Sequence, residues 1–139
     1  MPEPFRLQIG TPEEFLLDER VTSLRAPAVE GQLGVLVRHA PMIAELTIGE
    51  LLVTDHSGAV RHIATTGGVL RVERDGVVVL ADAAEEADKI DIARAQAALE
   101  RAQARLRPGR RTEGIDLIRA EMALVRALNR LRVAQHAER

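Results

Sequence analysis

Residues 69–106, VLRVERDGVVVLADAAEEADKIDIARAQAALERAQARL, decide the fold, because the spacing of apolar side chains changes partway along them. Two short runs, Val69–Glu73 and Val77–Ala81, flank Asp75-Gly76. Asp-Gly supplies the positive φ angles of a tight two-residue turn, so this part predicts a β-hairpin. From about Glu85 the period becomes helical: Ile92, Ala95, Leu99, Ala102 and Leu106 recur at steps of three and four and align on one helix face. Ala-Glu-Glu-Ala-Asp-Lys at 84–89 reads as linker and helix entry.

Toward the N-terminus the strand pattern continues. Leu51–Thr54, the turn Asp55-His56-Ser57-Gly58 and Val60–Ala64 predict a second hairpin. Strands this short bury their apolar faces most simply as two sheets packed together. Toward the C-terminus, Pro108-Gly109 stops the first helix, Arg110-Arg111-Thr112 forms a loop, and Leu117, Ala120, Leu124, Ala127, Leu131 and Ala134 mark a second apolar stripe. The expected fold is an all-β, barrel-like sandwich over 1–84 followed by an antiparallel α-helical hairpin over 85–139. The alanine-rich seam between the helices buries little area beside the roughly 1.5–3 kcal/mol of a buried leucine or valine. A competing surface or ligand could open it.

A chain of 139 residues suffices for one core with an appendage. With 46% hydrophobic and 29% charged residues it belongs with folded globular chains rather than disordered ones. No cysteine is present, which excludes disulfides and thiolate metal sites and fits a reducing interior. The N-terminus MPEPFRLQIG does not read as an export signal, and no apolar run approaches the ~20 residues of a membrane span. Charge is uneven: residues 1–84 carry 7 basic and 12 acidic side chains, and 85–139 carry 12 and 9. The basic tail lacks aromatic residues for stacking on bases, and its acids are interspersed, so nucleic acid is not the expected partner.

Glu30-Gly31-Gln32-Leu33-Gly34-Val35, His39-Ala40-Pro41, Gly67-Gly68-Val69-Leu70 and Val79-Leu80-Ala81-Asp82 resemble, in order and spacing, the signature of the epsilon subunit of F-type ATP synthases. The resemblance extends through the helix pair. It implies a non-catalytic central-stalk subunit that couples rotation between F1 and Fo. Its sandwich would grip the gamma subunit and meet the c-ring near Gln32, Arg38 and His39. The chain departs from the family at Gln32, where relatives often carry an acid, and at Val37-Arg38, where they carry Pro-Gly. Localisation at the cytoplasmic face of the bacterial plasma membrane, peripheral and through Fo only, also follows from the resemblance.

Ile90-Asp91-Ile92-Ala93-Arg94-Ala95 matches the family's ATP-binding pattern. Arg94, Arg101 and Arg105 stand seven and four residues apart and share one helix face; Arg119, Arg126 and Arg130 repeat the spacing. Planar guanidinium groups suit phosphate oxygens. By resemblance, Glu85, Ile90, Asp91, Arg94, Ala95, Arg101, Arg126 and Arg130 fall on ATP-contacting positions, with ATP as a regulatory ligand and no cofactor required. Glu85 and Asp91 suit donors on the base or ribose, or hold the arginines in place. The bland alternative is a solvated basic face paired along each helix, Asp91 with Arg94 and Glu121 with nearby arginines, each pair contributing roughly 0.2–0.5 kcal/mol.

Most glycines in the quoted motifs, 31, 34, 67 and 68, are expected at turns and bulges. His39, His56, His62 and His136 each stand alone in the sequence, and no nucleophile, base and oxyanion hole assemble, so no active site or metal centre is expected. The resemblance further implies that the helices inhibit ATP hydrolysis when extended toward the catalytic alpha and beta subunits, with ATP favouring the folded pair. Two other readings stand beside it: a purely structural rotor subunit without nucleotide sensing, and a free-standing β-sandwich interaction module.

Overall fold

The computed structural model describes residues 3–108 and 114–137. Seven strands come first: β1 (Phe5–Gly10), β2 (Phe15–Ala28), β3 (Gly31–Val35), β4 (Met42–Asp55), β5 (Val60–Glu73), β6 (Gly76–Ala81) and β7 (Ala84–Glu86). A 3-10 turn at Ala87–Lys89 leads to α1 (Ile92–Arg105) and α2 (Gly114–Ala134). The chain divides into two compact units between Glu86 and Ala87. Among the described residues no helix is long and apolar enough to cross a membrane.

In the first unit the strands follow the order β1-β6-β5-β4-β2-β3, and β1 also pairs with β2. That last pairing closes β1, β6, β5, β4 and β2 into a circuit, which is why the sandwich is barrel-like. β3 continues along β2 where β1 ends, and β7 does the same for β6 along β5. The long strands thus serve both layers. Alternation fills the interior: Leu70↔Val79 is fully buried, whereas the adjacent pair Val69↔Leu80 faces outward. Leu7, Ile9, Val21, Leu24, Leu51, Val53 and Ile63 complete the most buried part of one core.

The strands are longer than the sequence reading expected, because β5 runs straight through Gly67-Gly68 and β4 through Gly49. Gly68 has φ 138°, and a Cβ there would meet the Leu80 carbonyl oxygen at 2.2 Å, so the glycine permits the close approach of β6. The hairpin turn is also displaced by one residue. Glu73 pairs with Gly76, leaving Arg74-Asp75 as the loop, and Asp75 does not adopt a positive φ. Gly76 is instead required by β1, since a Cβ would lie 2.6 Å from the Arg6 carbonyl oxygen. Gly34 lies within β3 with open space around it and no turn geometry.

The 55–58 turn forms as expected, held by Asp55, whose Oδ1 accepts from the Ser57 N–H at 2.8 Å, the Ser57 hydroxyl at 2.6 Å and the Ala59 N–H at 3.1 Å.

In the second unit α1 and α2 pack against each other, and their short connection makes them antiparallel neighbours. Ala95, Leu99 and Ala102 are buried on α1; Ala120, Ala127 and Ala134 are buried on α2. The stripe loosens at the helix ends, where Ile92 and Leu117 are exposed. α1 ends with the Leu106 N–H bonded to the Ala102 carbonyl at 3.2 Å. The expected stop at Gly109 and the loop at Arg110-Arg111-Thr112 lie outside the described residues.

Candidate functional site

The nucleotide-pattern residues divide between the two units. Glu85 belongs to the first: it is half-buried on β7, opposite Ala64 of β5, and does not begin the helical region. The others belong to the second. Ile90 is 2% exposed and Ala95 is fully buried, so these two provide packing within the pattern. Asp91 is the N-cap of α1, with φ −78° and ψ 99°, and its Oδ1 accepts from the Arg94 backbone N–H at 3.0 Å. The pairing expected between Asp91 and Arg94 is therefore made to the main chain of Arg94.

Arg94 and Arg101 are exposed on one line of α1, and Arg126 is exposed and Arg130 half-buried on one line of α2. On each helix this line stands about 100° around from the buried alanines. Each helix thus carries a guanidinium ridge along the flank of the apolar seam. The chemistry of that ridge fits phosphate oxygens, which accept paired hydrogen bonds from permanently charged planar groups.

The three expected ring-contact residues do not converge. Gln32, exposed at the start of β3, lines a depression of about 360 Å³ with Val29, Leu33 and Ile43. Arg38 and His39 lie in the loop after β3 and line another, of about 460 Å³, with Arg6, Arg20 and Arg74. Arg38 adopts the left-handed φ of 63°, and its Nη2 reaches Glu3 at 2.9 Å with both side chains mostly exposed. The His39 Nδ1–H donates to the Ala40 carbonyl at 2.8 Å.

Several features escaped the reading of the sequence. Ile43, Val69 and Leu80 form an exposed apolar patch on the outer face of β4, β5 and β6. α2 carries a second apolar face, with Ile118, Met122, Val125 and Leu128 exposed; the i, i+4, i+7 spacing of Ile118, Met122 and Val125 was the available signal. His62 is not isolated, for its Nδ1 lies 3.1 Å from Glu50 Oε1 on the neighbouring strand and both are half-buried.

Arg61 on β5 joins Glu86 on β7 through Nε, at 2.9 Å, and Nη2, and joins Glu19 on β2 through Nη1 at 2.9 Å. Burial pulls the Arg61 pKa down most strongly, yet the hydrogen bonds and charges of Glu86 and Glu19 together outweigh it and leave it raised.

Comparison with known proteins agrees with this architecture in both units. The family model for the ATP synthase delta/epsilon chain β-sandwich domain matches residues 4–87, and that for the delta/epsilon long α-helix domain matches residues 88–135. The ATP synthase epsilon chain of Solibacter usitatus is 50% identical over 103 residues, 74% of this chain and 76% of the relative. That of Carboxydothermus hydrogenoformans is 49% identical over 106 residues, 76% and 78% of the two. Among solved structures, a chain of the Euglena gracilis mitochondrial ATP synthase, in a complex of OSCP, F1 and c-ring, superposes with a TM-score of 0.81 at 27% identity, covering 98% of this chain and 84% of that one. A chain of the Tetrahymena thermophila mitochondrial ATP synthase central stalk and c-ring shares the fold, with a TM-score of 0.55 at 15% identity, covering 94% and 93%. A sandwich closed by β1, followed by two helices, with both parts matched in sequence, places this chain in the ATP synthase delta/epsilon chain family.

Proposed function

We propose that this chain is a non-catalytic coupling subunit of a rotary ATP synthase central stalk, whose sandwich holds the rotor together and whose helices restrain ATP hydrolysis. The observation that carries the regulatory half is the two-sided character of α2. One side buries Ala120, Ala127 and Ala134; the other leaves Ile118, Met122, Val125 and Leu128 exposed, and only toward its C-terminal end is it covered, at Val133. A helix with two apolar faces and a thin alanine seam is suited to exchange one partner for another at small net cost. Released from α1, it would extend along gamma toward the alpha and beta subunits, with Arg119 and Arg126 meeting acidic groups there.

The outer patch of Ile43, Val69 and Leu80 supports the gamma contact, because isolated exposed apolar residues are common but a cross-strand cluster marks an interaction surface. Gln32, Arg38 and His39 would meet the c-ring, which keeps the subunit peripheral to the membrane through Fo, on the cytoplasmic face. ATP would act as a regulatory ligand that favours the folded pair, using the arginine ridges of the helical unit together with Ile90, Asp91 and Ala95 at the start of α1. By reciprocity, extension of the helices would weaken ATP binding by the same factor.

Calorimetric titration of the isolated subunit with ATP and magnesium tests the nucleotide part. Saturable heat that Arg94→Ala and Arg126→Ala each abolish supports it; absence of heat from the folded wild type removes ATP control. Truncation after Glu86 tests the inhibitory part. Raised hydrolysis at low ATP with intact assembly supports it, and unchanged hydrolysis rejects it.

A further inference from the structure

β4 has a neighbour on each side in its second half, but only one at its start. From Met42 to Glu45 it runs beside β5, whereas β2 pairs with it only from Leu46 onward. The Val29 N–H bonds to the Glu45 carbonyl at 2.9 Å, which fixes the direction of the main chain there. The N–H and C=O of a strand residue point to one side, and so do those of the residue two positions away. Ile43 therefore turns its main-chain groups away from β5, as Glu45 does. Among the described residues no strand pairs with the Ile43 N–H and C=O or with the Glu45 N–H. This edge borders the depression of about 360 Å³ whose other wall is Val29–Leu33. Leu33 and Met42 give it a partly buried apolar floor, and Val29 and Ile43 are 59% and 73% exposed. Its charged residues are Glu30 and Glu45, both exposed, and no lysine or arginine lines it. Neither proline nor lysine stands at 42–45, the usual means by which a strand edge is kept from pairing.

We propose that this edge is a strand-addition site, which takes an extended segment carrying an apolar side chain flanked by lysine or arginine. Main-chain bonds to Ile43 and Glu45 hold the segment, its apolar side chain covers Val29 and Ile43, and its basic groups meet Glu30 and Glu45. A second copy of this chain is a poor occupant, since two such edges brought together would set acid against acid. The occupant is the gamma subunit, because Ile43 belongs both to this edge and to the outer patch with Val69 and Leu80. This choice rests on the gamma contact proposed above and specifies the form that gamma presents, an extended strand.

Residue-resolved hydrogen exchange on the full chain, alone and with purified gamma, tests the site. Gamma should slow the Ile43 and Glu45 amides at least about tenfold and leave those of Met42 and Ala44, already in the ladder with β5, nearly unchanged. That alternation separates strand addition from a cover that slows all four amides; equal slowing, or none, overturns the inference. Ile43→Pro removes the outward N–H without touching the ladder with β5. It should weaken gamma binding at least about tenfold, while Ile43→Val keeps it within about twofold. Should Ile43→Pro fail to fold, Glu30→Lys with Glu45→Lys decides: a loss of at least about tenfold supports the site, and undiminished affinity overturns it. Slowing of the same two amides by raising the concentration of the chain alone would give the edge to a second copy and overturn the choice of gamma. If Val69→Lys with Leu80→Lys weakens gamma binding but gamma leaves both wild-type amides fast, the gamma contact stands and the strand is rejected. If gamma does not bind the folded chain at all, both are rejected.

Discussion

The Asp91 carboxylate accepts a hydrogen bond from the Arg94 main-chain N–H, so the acid and the arginine of the nucleotide pattern are joined through the first turn of α1 rather than charge to charge. Asp91 therefore has a structural duty that its place in the pattern conceals. Asp91→Ala should cost the helical unit about 1 kcal/mol through loss of the cap. Asp91→Asn should retain most of that stability because its amide oxygen still accepts. Any fall in ATP affinity common to both variants would then report the carboxylate charge itself; thermal melts and titrations of the pair separate the two effects.

The Val69 and Leu80 pair makes a prediction of opposite kind. Both side chains point away from the core, so Val69→Lys with Leu80→Lys should shift stability by only about 0.5 kcal/mol per site. Affinity for gamma should fall at least about tenfold, some 1.4 kcal/mol, as the patch acquires charges it cannot pair. Pull-down or interferometry with purified gamma reads the loss, and undiminished affinity would move the gamma contact to another face.

Gly68→Ala should be among the most damaging single changes in the sandwich. The added methyl would sit 2.2 Å from the Leu80 carbonyl oxygen, at a φ that alanine rarely adopts. Main chain cannot rotate away as a side-chain tip can, and a loss of about 4 kcal/mol or more is expected. Gly58→Ala, also at positive φ but with open space, should cost less, and chemical denaturation of the two variants measures the contrast.

Acid should weaken the sandwich through two carboxylates. The Ser57 hydroxyl is the main cause that holds Asp55 below its ordinary pKa, with backbone N–H groups adding to it; the Arg6 hydrogen bond does the same for Asp18. A folded-state pKa below the unfolded value of about 3.9 means that the folded state binds fewer protons. Their contribution is thus complete above about pH 4 and is lost as pH falls below it. Thermal midpoints from about pH 6 to pH 3 should fall less steeply in Asp18→Asn with Asp55→Asn than in the wild type. Equal slopes would place the acid sensitivity elsewhere.

Local signals carried much of the architecture. The Asp55–Gly58 turn, the passage from strand to helix period and the alanine seam were all legible, because each depends on neighbours within a few residues. What escaped depends on partners far away in the chain. Gly67-Gly68 looked like an interruption because nothing local reveals the strand pressed against it, and Gly76 served β1 rather than the turn. Glu85 and Glu86 read as helix entry, since helix propensity favours glutamate, yet pairing with Ile63 and Ala64 drew them into the sheet. His62 seemed to stand alone until the β4–β5 pairing supplied Glu50. On α2 one apolar stripe was read and the other was not, because a helix with two such faces defeats a search for one.

The parallel pairing of β1 with β6 sets the order in which a ribosome can deliver this protein. Leu7 must wait for Val77, and Ile9 for Val79, before the circuit closes. Until then β1 can rest only on β2, with its other edge exposed and its apolar side chains in water. Long-range closure of this sort is slow and late. The nascent sandwich would therefore emerge nearly whole before it could fold, and that is the interval in which a chaperone would find it.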